Sequence, residues 1–172
     1  MKEFRLLSLL LVLISWACNA QNIQKEINDQ VWRVQLEAMH SNQAEKFMSV
    51  MSEDVMQVSY SRQAIRNKEE FFRQAVSTYQ RIVDRKLRRS MDFRFLNRIA
   101  ADSSAFEDGF YKYELVNEKQ EKQIYYGYFQ VALRKEGGIW KVLVDYDAET
   151  YHGLPVTRDV FENAKTLDAY YN

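Results

Sequence analysis

Three observations predict an α+β fold in which a curved antiparallel sheet packs against helices. Apolar residues recur at helical spacing through three early segments and then alternate at period two through four long ones. Only five glycines and one proline interrupt the 172 residues, so no linker, repeat or low-complexity stretch divides the chain. The composition is 47% hydrophobic and 28% charged, which suits a single folded core and not a disordered chain.

Taken in order, Ile23, Ile27, Val31, Val34 and Ala38 share one helical face and predict a first helix over 23–40. Asn42 and Glu45 have the spacing of a capping box before Ala44, Phe47, Met48 and Met51, which gives a short second helix. From 54 to 60 the chain alternates. Met56, Val58 and Tyr60 are assigned to the inner face, and Gln57 and Ser59 to the outer. Asn67 with Glu70 caps a third helix whose Phe71, Ala75, Tyr79 and Ile82 face the core. Four strands follow, over 85–99, 105–116, 123–135 and 139–147, with a turn at 101–104 and a tight hairpin at Glu136-Gly137-Gly138. In the first of these, Leu87, Met91, Phe93 and Phe95 are in phase, with Arg88, Asp92, Arg94 and Arg98 opposite. A C-terminal segment carries Val160, Ala164, Leu167 and Tyr171 at helical spacing behind Thr157 as N-cap.

The first twenty residues have a different character. Lys2 and Arg5 precede twelve nearly unbroken apolar residues, Leu6 to Ala17, and the small residues Cys18 and Ala20. This is short for a membrane span and fits a secretory signal cut after Ala20, so an exported chain, periplasmic or secreted, is expected to begin at Gln21. The alternative is a lipoprotein anchored through Cys18, although the lipobox pattern is met only at Ala17-Cys18. Without residues 1–20 the chain has 22 basic and 23 acidic residues and no cysteine. That balance gives no electrostatic case for nucleic acid. One cysteine cannot build a disulfide framework, and His40 and His152 are too isolated to suggest a metal site. No nucleophile elbow or phosphate-cradling glycine loop is present, and no cofactor is expected.

Four strings, in this order and spacing, carry a resemblance: Ser52-Glu53-Asp54-Val55; Ala64 to Phe71 (Ala-Ile-Arg-Asn-Lys-Glu-Glu-Phe); Ala105 to Tyr111 (Ala-Phe-Glu-Asp-Gly-Phe-Tyr); and Gly138 to Val142 (Gly-Ile-Trp-Lys-Val). Over residues 23–147 the chain resembles the nuclear-transport-factor-2-like superfamily in its SnoaL-like branch. The domain is accordingly drawn over 21–147, with 148–172 as an extension. Members usually have Gly at the position of Asn67, the best substitute where a left-handed backbone is wanted. The resemblance implies a cone, a bent sheet around a long helix with an apolar internal cavity, and homodimers through the outer sheet face. It implies no single function, since isomerases, cyclases, dehydratases and non-catalytic binders share the fold.

The strand phases nominate side chains for the cone. Tyr60, Arg89, Glu107, Tyr111, Tyr113 and Tyr146 are the expected ligand-facing set. One carboxylate of Glu107–Asp108 must point inward unless Gly109 marks a bulge, and the resemblance favours Glu107. A carboxylate in an apolar cone has a raised pKa and suits general acid–base work, with tyrosines as donors to an oxyanion. The competing reading is that Glu107 forms an ion pair with Arg89 at the rim or is simply exposed. Asp145 and Asp147 fall opposite Trp140, Val142, Val144 and Tyr146 and are expected to face solvent; Asp54 is expected to serve a turn or cap. The basic run Arg81, Arg85, Lys86, Arg88 and Arg89 reads as a solvated strand edge. Tyr126, Tyr128 and Gln130 lie on the outer phase and are the candidate dimer face. The favoured reading is non-catalytic binding of a small apolar or amphipathic ligand or a protein partner. The alternative is an acid–base enzyme acting on a small hydrophobic molecule through Glu107.

Overall fold

The computed structural model describes residues 22–167. The signal, the Cys18 anchor and Tyr171 therefore lie outside the described residues. Helix α1 runs over 22–40, with a π-helical turn at Asn28–Trp32 before the regular Arg33–His40. Such a turn adds a residue to the helix and re-aims its neighbours; here Asn28, Val31 and Trp32 are all buried. Helix α2 is Ala44–Met48. The expected Asn42–Glu45 box does not form. Gln43 is the N-cap, while Asn42 adopts a left-handed backbone and uses its side chain elsewhere. Strand β1 (Met51–Ser59) and the short β2 (Ala64–Arg66) follow. Helix α3 (Lys68–Asp84) starts at the Asn67–Glu70 capping box as expected. Asn67 is extended there (φ −75°), so its role is to cap and it does not supply a left-handed turn.

The meander β3 (Arg88–Ala100), β4 (Ser104–Val116), β5 (Lys122–Glu136) and β6 (Ile139–Ala148) matches the sequence reading closely. Two short strands β7 (Thr150–Tyr151) and β8 (Leu154–Pro155), helix α4 (Arg158–Glu162) and strand β9 (Lys165–Thr166) complete the fold. Thr157 caps α4 as expected, accepting from the Val160 N–H. The helix stops after five residues and the chain returns to strand, so the periodicity through Leu167 is not helical.

The seven-stranded sheet has the order β2-β1-β6-β5-β4-β3-β9, antiparallel except for the β1–β6 pair. Helix α1 lies across the inner face. Its Trp32 packs on Phe93 and Phe129 with ring centroids 4.7 and 5.2 Å apart, and edge-on to Phe95 at 5.2 Å. This aromatic cluster fills the deep half of the cone.

Two bulges decide which residues enter it. In β3, Phe95 pairs with Gly109 and Asn97 with Asp108, leaving Leu96 unpaired. In β6, Leu133 pairs with Val142 and Ala132 with Val144, leaving Leu143 unpaired. Each extra residue exchanges the two faces of its strand from that point on. Beyond Leu96 the inward residues are Arg98 and Ala100. Beyond Leu143 they are Asp145 and Asp147. Gly109 permits the first bulge, because a Cβ there would lie 1.9 Å from the Arg94 carbonyl oxygen.

The C-terminal segment folds back on the outer face. Val156 and Phe161 bury Phe110 and Tyr128, with Tyr126, Tyr146 and Tyr151 around them. Strand β9 pairs with β3 at Arg94 and Phe95. The outer tyrosines are therefore largely covered by the chain's own extension: Tyr128 is buried, and Tyr126 and Gln130 are half-buried.

Candidate functional site

Residues directly opposite in adjacent strands share a face, so the register defines rows of inward side chains. One row runs Arg66, Gln57, Asp145, Val131, Glu107, Arg98 across β2-β1-β6-β5-β4-β3. The next runs Ala64, Ser59, Asp147, Phe129, Gly109, Phe95. Each end of the first row holds a carboxylate and an arginine, and the two ends behave differently.

At the β3–β4 end, Glu107 points inward as favoured but is fully engaged. Arg98 Nε donates to its Oε1 at 2.9 Å, Arg98 Nη2 lies 2.8 Å from the same oxygen, and the Trp32 indole donates to Oε2. Arg98 also reaches Asn28. Burial pushes the Glu107 carboxyl up, against the pull of Arg98 and Trp32. With no exposed surface, this group is a buried ion pair beneath the aromatic cluster. An ion pair does form, but it is buried and with Arg98, neither at the rim with Arg89 nor exposed. Arg89 lies opposite Leu115, far along the strand, and is held by the Met39 carbonyl, the Asn42 side chain and the Tyr79 ring.

At the β2–β1–β6 end the carboxylates are accessible. Asp147 Oδ1 accepts from Gln57 Nε2 at 3.0 Å and Oδ2 from Ser59 Oγ at 3.1 Å. Gln57 Oε1 accepts from Arg66 Nη1 at 2.7 Å. Asp145 has no hydrogen bond or ion pair to any described residue. Burial, reinforced by the Asp147 charge, pushes its carboxyl up to about 7. Yet Asp145 keeps part of its surface open. Asp145 is thus half-buried on the inner face of the sheet. Burial also raises Asp147, opposed by Ser59, Arg62, Arg66 and Gln57.

Tyr111 completes this end. Its partner across β5 is Gly127, and a Cβ there would lie 2.3 Å from the Tyr111 ring and hydroxyl. The missing side chain lets the phenol lie flat over β5 toward β6. Burial, with Asp147, Glu149 and Asp145 nearby, holds the hydroxyl well above its ordinary value, so it stays a proton-bearing donor. Tyr113 follows on the same face, beside Tyr125.

The sequence reading is corrected at four further positions. Tyr60 is 57% exposed on the outer face, because β1 turns Val55, Gln57 and Ser59 inward and leaves Met56, Val58 and Tyr60 outside. Tyr146, opposite Gln130 beyond the Leu143 bulge, belongs to the outer cluster. Asp145 and Asp147 lie on the inner face of the sheet instead of the outer one. The signal for them was the run Val142-Leu143-Val144, three apolar residues in succession where strict alternation would place a polar one between two apolar ones. Asp54 pairs with Arg134 at 2.8 Å near the start of β1 and takes no part in the site. An open groove of about 530 Å³ lies outside the cone over Met48 and Phe72, rimmed by Glu45, Glu53, Lys68 and Glu69, and converges on no single polar atom. Among the described residues, no group of three or more His, Cys, Asp or Glu side chains could hold a metal ion.

No family model matches the chain, and no curated protein matches it. Solved structures do. A protein from Catenulispora acidiphila in complex with S-DNPA aligns at 15% identity and a TM-score of 0.61, covering 73% of this chain and 92% of that one. Aln2 from a Streptomyces species aligns at 11% identity and a TM-score of 0.62, over 73% and 89%. An NTF-2 like protein of unknown function from Shewanella oneidensis MR-1 aligns at 18% identity and a TM-score of 0.50, over 69% and 93%. With the cone topology, these likenesses show that the chain adopts the nuclear-transport-factor-2-like fold.

Proposed function

We propose that the recess at the β1–β6 end of the cone is a small-molecule site performing acid–base chemistry, with Asp145 as general base and Tyr111 as hydrogen-bond donor. The observation that carries this is Asp145: turned inward by a bulge, left without a partner among the described residues, and poised near neutrality beside a second carboxylate. A base of that pKa divides between its two forms at physiological pH, which favours proton transfer in both directions. The step is balanced within the site. The Asp145 carboxylate takes a proton from an acidic C–H, the Tyr111 hydroxyl donates to the oxygen where enolate charge develops, and the proton returns to carbon. Asp147 is a positioning residue, fixed by Gln57 and Ser59, and its charge keeps Asp145 basic. The aromatic floor of Phe93 and Phe129 suits a substrate with an apolar body. A fold neighbour solved in complex with S-DNPA supports the ligand-site reading.

The test is hydrogen–deuterium exchange at carbon, followed by proton NMR in D₂O with cyclohexanone, pyruvate and phenylpyruvate as probes. The wild-type chain is expected to accelerate exchange of at least one probe over buffer, and Asp145→Asn to remove the acceleration. If Asp145→Asn exchanges as fast as wild type, the assignment of the base is wrong. Saturable binding with no exchange would leave the site a binding site only.

A further inference from the structure

The same end of the row also holds an arginine that forms no ion pair with a described residue. Arg66 faces inward from β2, in register with Gln57. Its Nη1 is tied to the neutral Gln57 amide at 2.7 Å, and no described carboxylate comes within ion-pair distance of it. Gln57 Nε2 donates to Asp147 and its Oε1 accepts from Arg66, which fixes the orientation of the amide, and it makes no hydrogen bond to Asp145. Arg62, in the turn between β1 and β2, also forms no ion pair with a described residue, and its charge is felt at both Asp147 and Tyr111. Elsewhere in this chain arginines on the inner face are closed off: Arg98 by Glu107 and Asn28, and Arg89 by Met39, Asn42 and Tyr79. Arg66 is different in kind. It is half-buried, oriented by a neutral amide, feels Asp147 only at a distance and without a direct ion pair, and keeps most of its five N–H donors unspent on described residues.

A guanidinium held in this way presents a planar fork whose best partner is a carboxylate or a phosphate, gripped through two parallel hydrogen bonds. We infer that the ligand of this recess carries such an anionic group, bound by Arg66 with Arg62 at the rim. This inference rests on the reading of the recess as a ligand site and adds the chemical class of the ligand. The register also sets its size. Arg66 and Asp145 lie two strands apart in one row, about 10 Å between backbones, with Gln57 between them. Their side chains span most of that gap, so the anionic group sits only a few bonds from the carbon that meets Asp145. A small oxo acid or a short phosphorylated carbonyl compound fits this spacing; a large neutral polycycle leaves Arg66 desolvated and unpaired.

The test compares isosteric probes on the full folded chain by two-dimensional amide and arginine-side-chain NMR: benzoate and phenyl phosphate against neutral benzamide. Shift changes centred on Gln57, Ser59 and Arg66, with benzoate or phenyl phosphate binding at least tenfold more tightly than benzamide, are expected. Whichever anion binds more tightly identifies the group preferred. Arg66→Gln is expected to abolish the preference and Arg66→Lys to retain part of it. Arg62→Gln, on an exposed turn where folding is not at stake, is expected to weaken anion binding about threefold. Asp145→Asn is expected to keep the preference, which separates this inference from the assignment of the base. Equal affinity for benzamide, shift changes centred on the basic run around Lys86, or an unchanged preference in Arg66→Gln would each overturn it.

Discussion

Replacing Asp145 by Asn is expected to stabilise the protein, and to do so more at alkaline than at acid pH. The native state lifts the Asp145 carboxyl from 3.8 to about 7. At about 1.4 kcal/mol per unit, the full shift favours the protonated form in the fold by about 4 kcal/mol. Part of Asp145 still touches water, and screening reduces the effect to about 2 kcal/mol. The sign follows from the raised folded-state pKa. The native chain holds this proton more tightly than the unfolded chain, so the stabilisation is complete below about pH 4 and is lost as pH rises through 7. Asn cannot ionise and loses nothing over that interval. The stability difference between variant and wild type should therefore widen by about 1–2 kcal/mol between pH 5 and pH 8, a change of about 2–6 °C in the difference of Tm for a chain of this size. Paired thermal melts followed by circular dichroism at the two pH values measure it, and other titrating groups largely cancel in the comparison. A difference that is constant with pH, or that narrows toward pH 8, would refute the argument that Asp145 is desolvated in the recess.

Other outcomes follow from the same geometry. Glu107→Ala should cost about 3–5 kcal/mol in urea denaturation, because it strands Arg98 as a buried charge, whereas a cost below 1 kcal/mol would mean that the pair is solvated. Gly109→Ala should destabilise by about 3 kcal/mol or more, since its Cβ meets backbone that cannot move without undoing the Leu96 bulge; a neutral variant would deny that bulge. Tyr111→Phe should leave stability nearly unchanged but slow carbon-acid exchange by about 10²-fold, the loss of one oxyanion donor; unaltered exchange would remove Tyr111 from the site. Removing residues 150–172 should uncover Phe110 and Tyr128 and increase dye binding and self-association, measured by fluorescence and sedimentation; a chain that stays monomeric and binds no dye would argue against the arm as a cover.

The broad fold was legible because its signals are local. Period-two alternation located β3 to β6 within a few residues, and the Asn67–Glu70 box located the start of α3. The inward position of Glu107 follows from the family resemblance, and it holds because β4 pairs with β5 through Gly109 without a register shift. The candidate site was largely hidden for one physical reason. A bulge is a single unpaired residue, and it inverts every inward or outward assignment after it. Leu96 carries Arg98 to Glu107, and Leu143 carries Asp145 and Asp147 to the inner face, so these three charged residues lie on the face opposite to the one strict alternation predicts. In β1 the assumption that apolar residues point inward failed as well, because Gln57 and Ser59 gain Asp147 and Arg66 as partners on the inner side. The outer tyrosines were read on the correct face, but the extension that covers them shows itself only through contacts more than twenty residues apart in sequence.

The central claim is that Asp145 sits unpartnered in the cone as a base poised near neutrality. Carbon-detected NMR of the Asp145 side-chain carboxyl, assigned with Asp145→Asn and titrated from pH 3 to 9, tests it most directly. The predicted result is a midpoint near 7, shifted downward when Asp147→Asn removes the neighbouring charge. A midpoint near 4 that does not respond to Asp147→Asn would contradict the account, placing Asp145 in water and leaving the recess without its base.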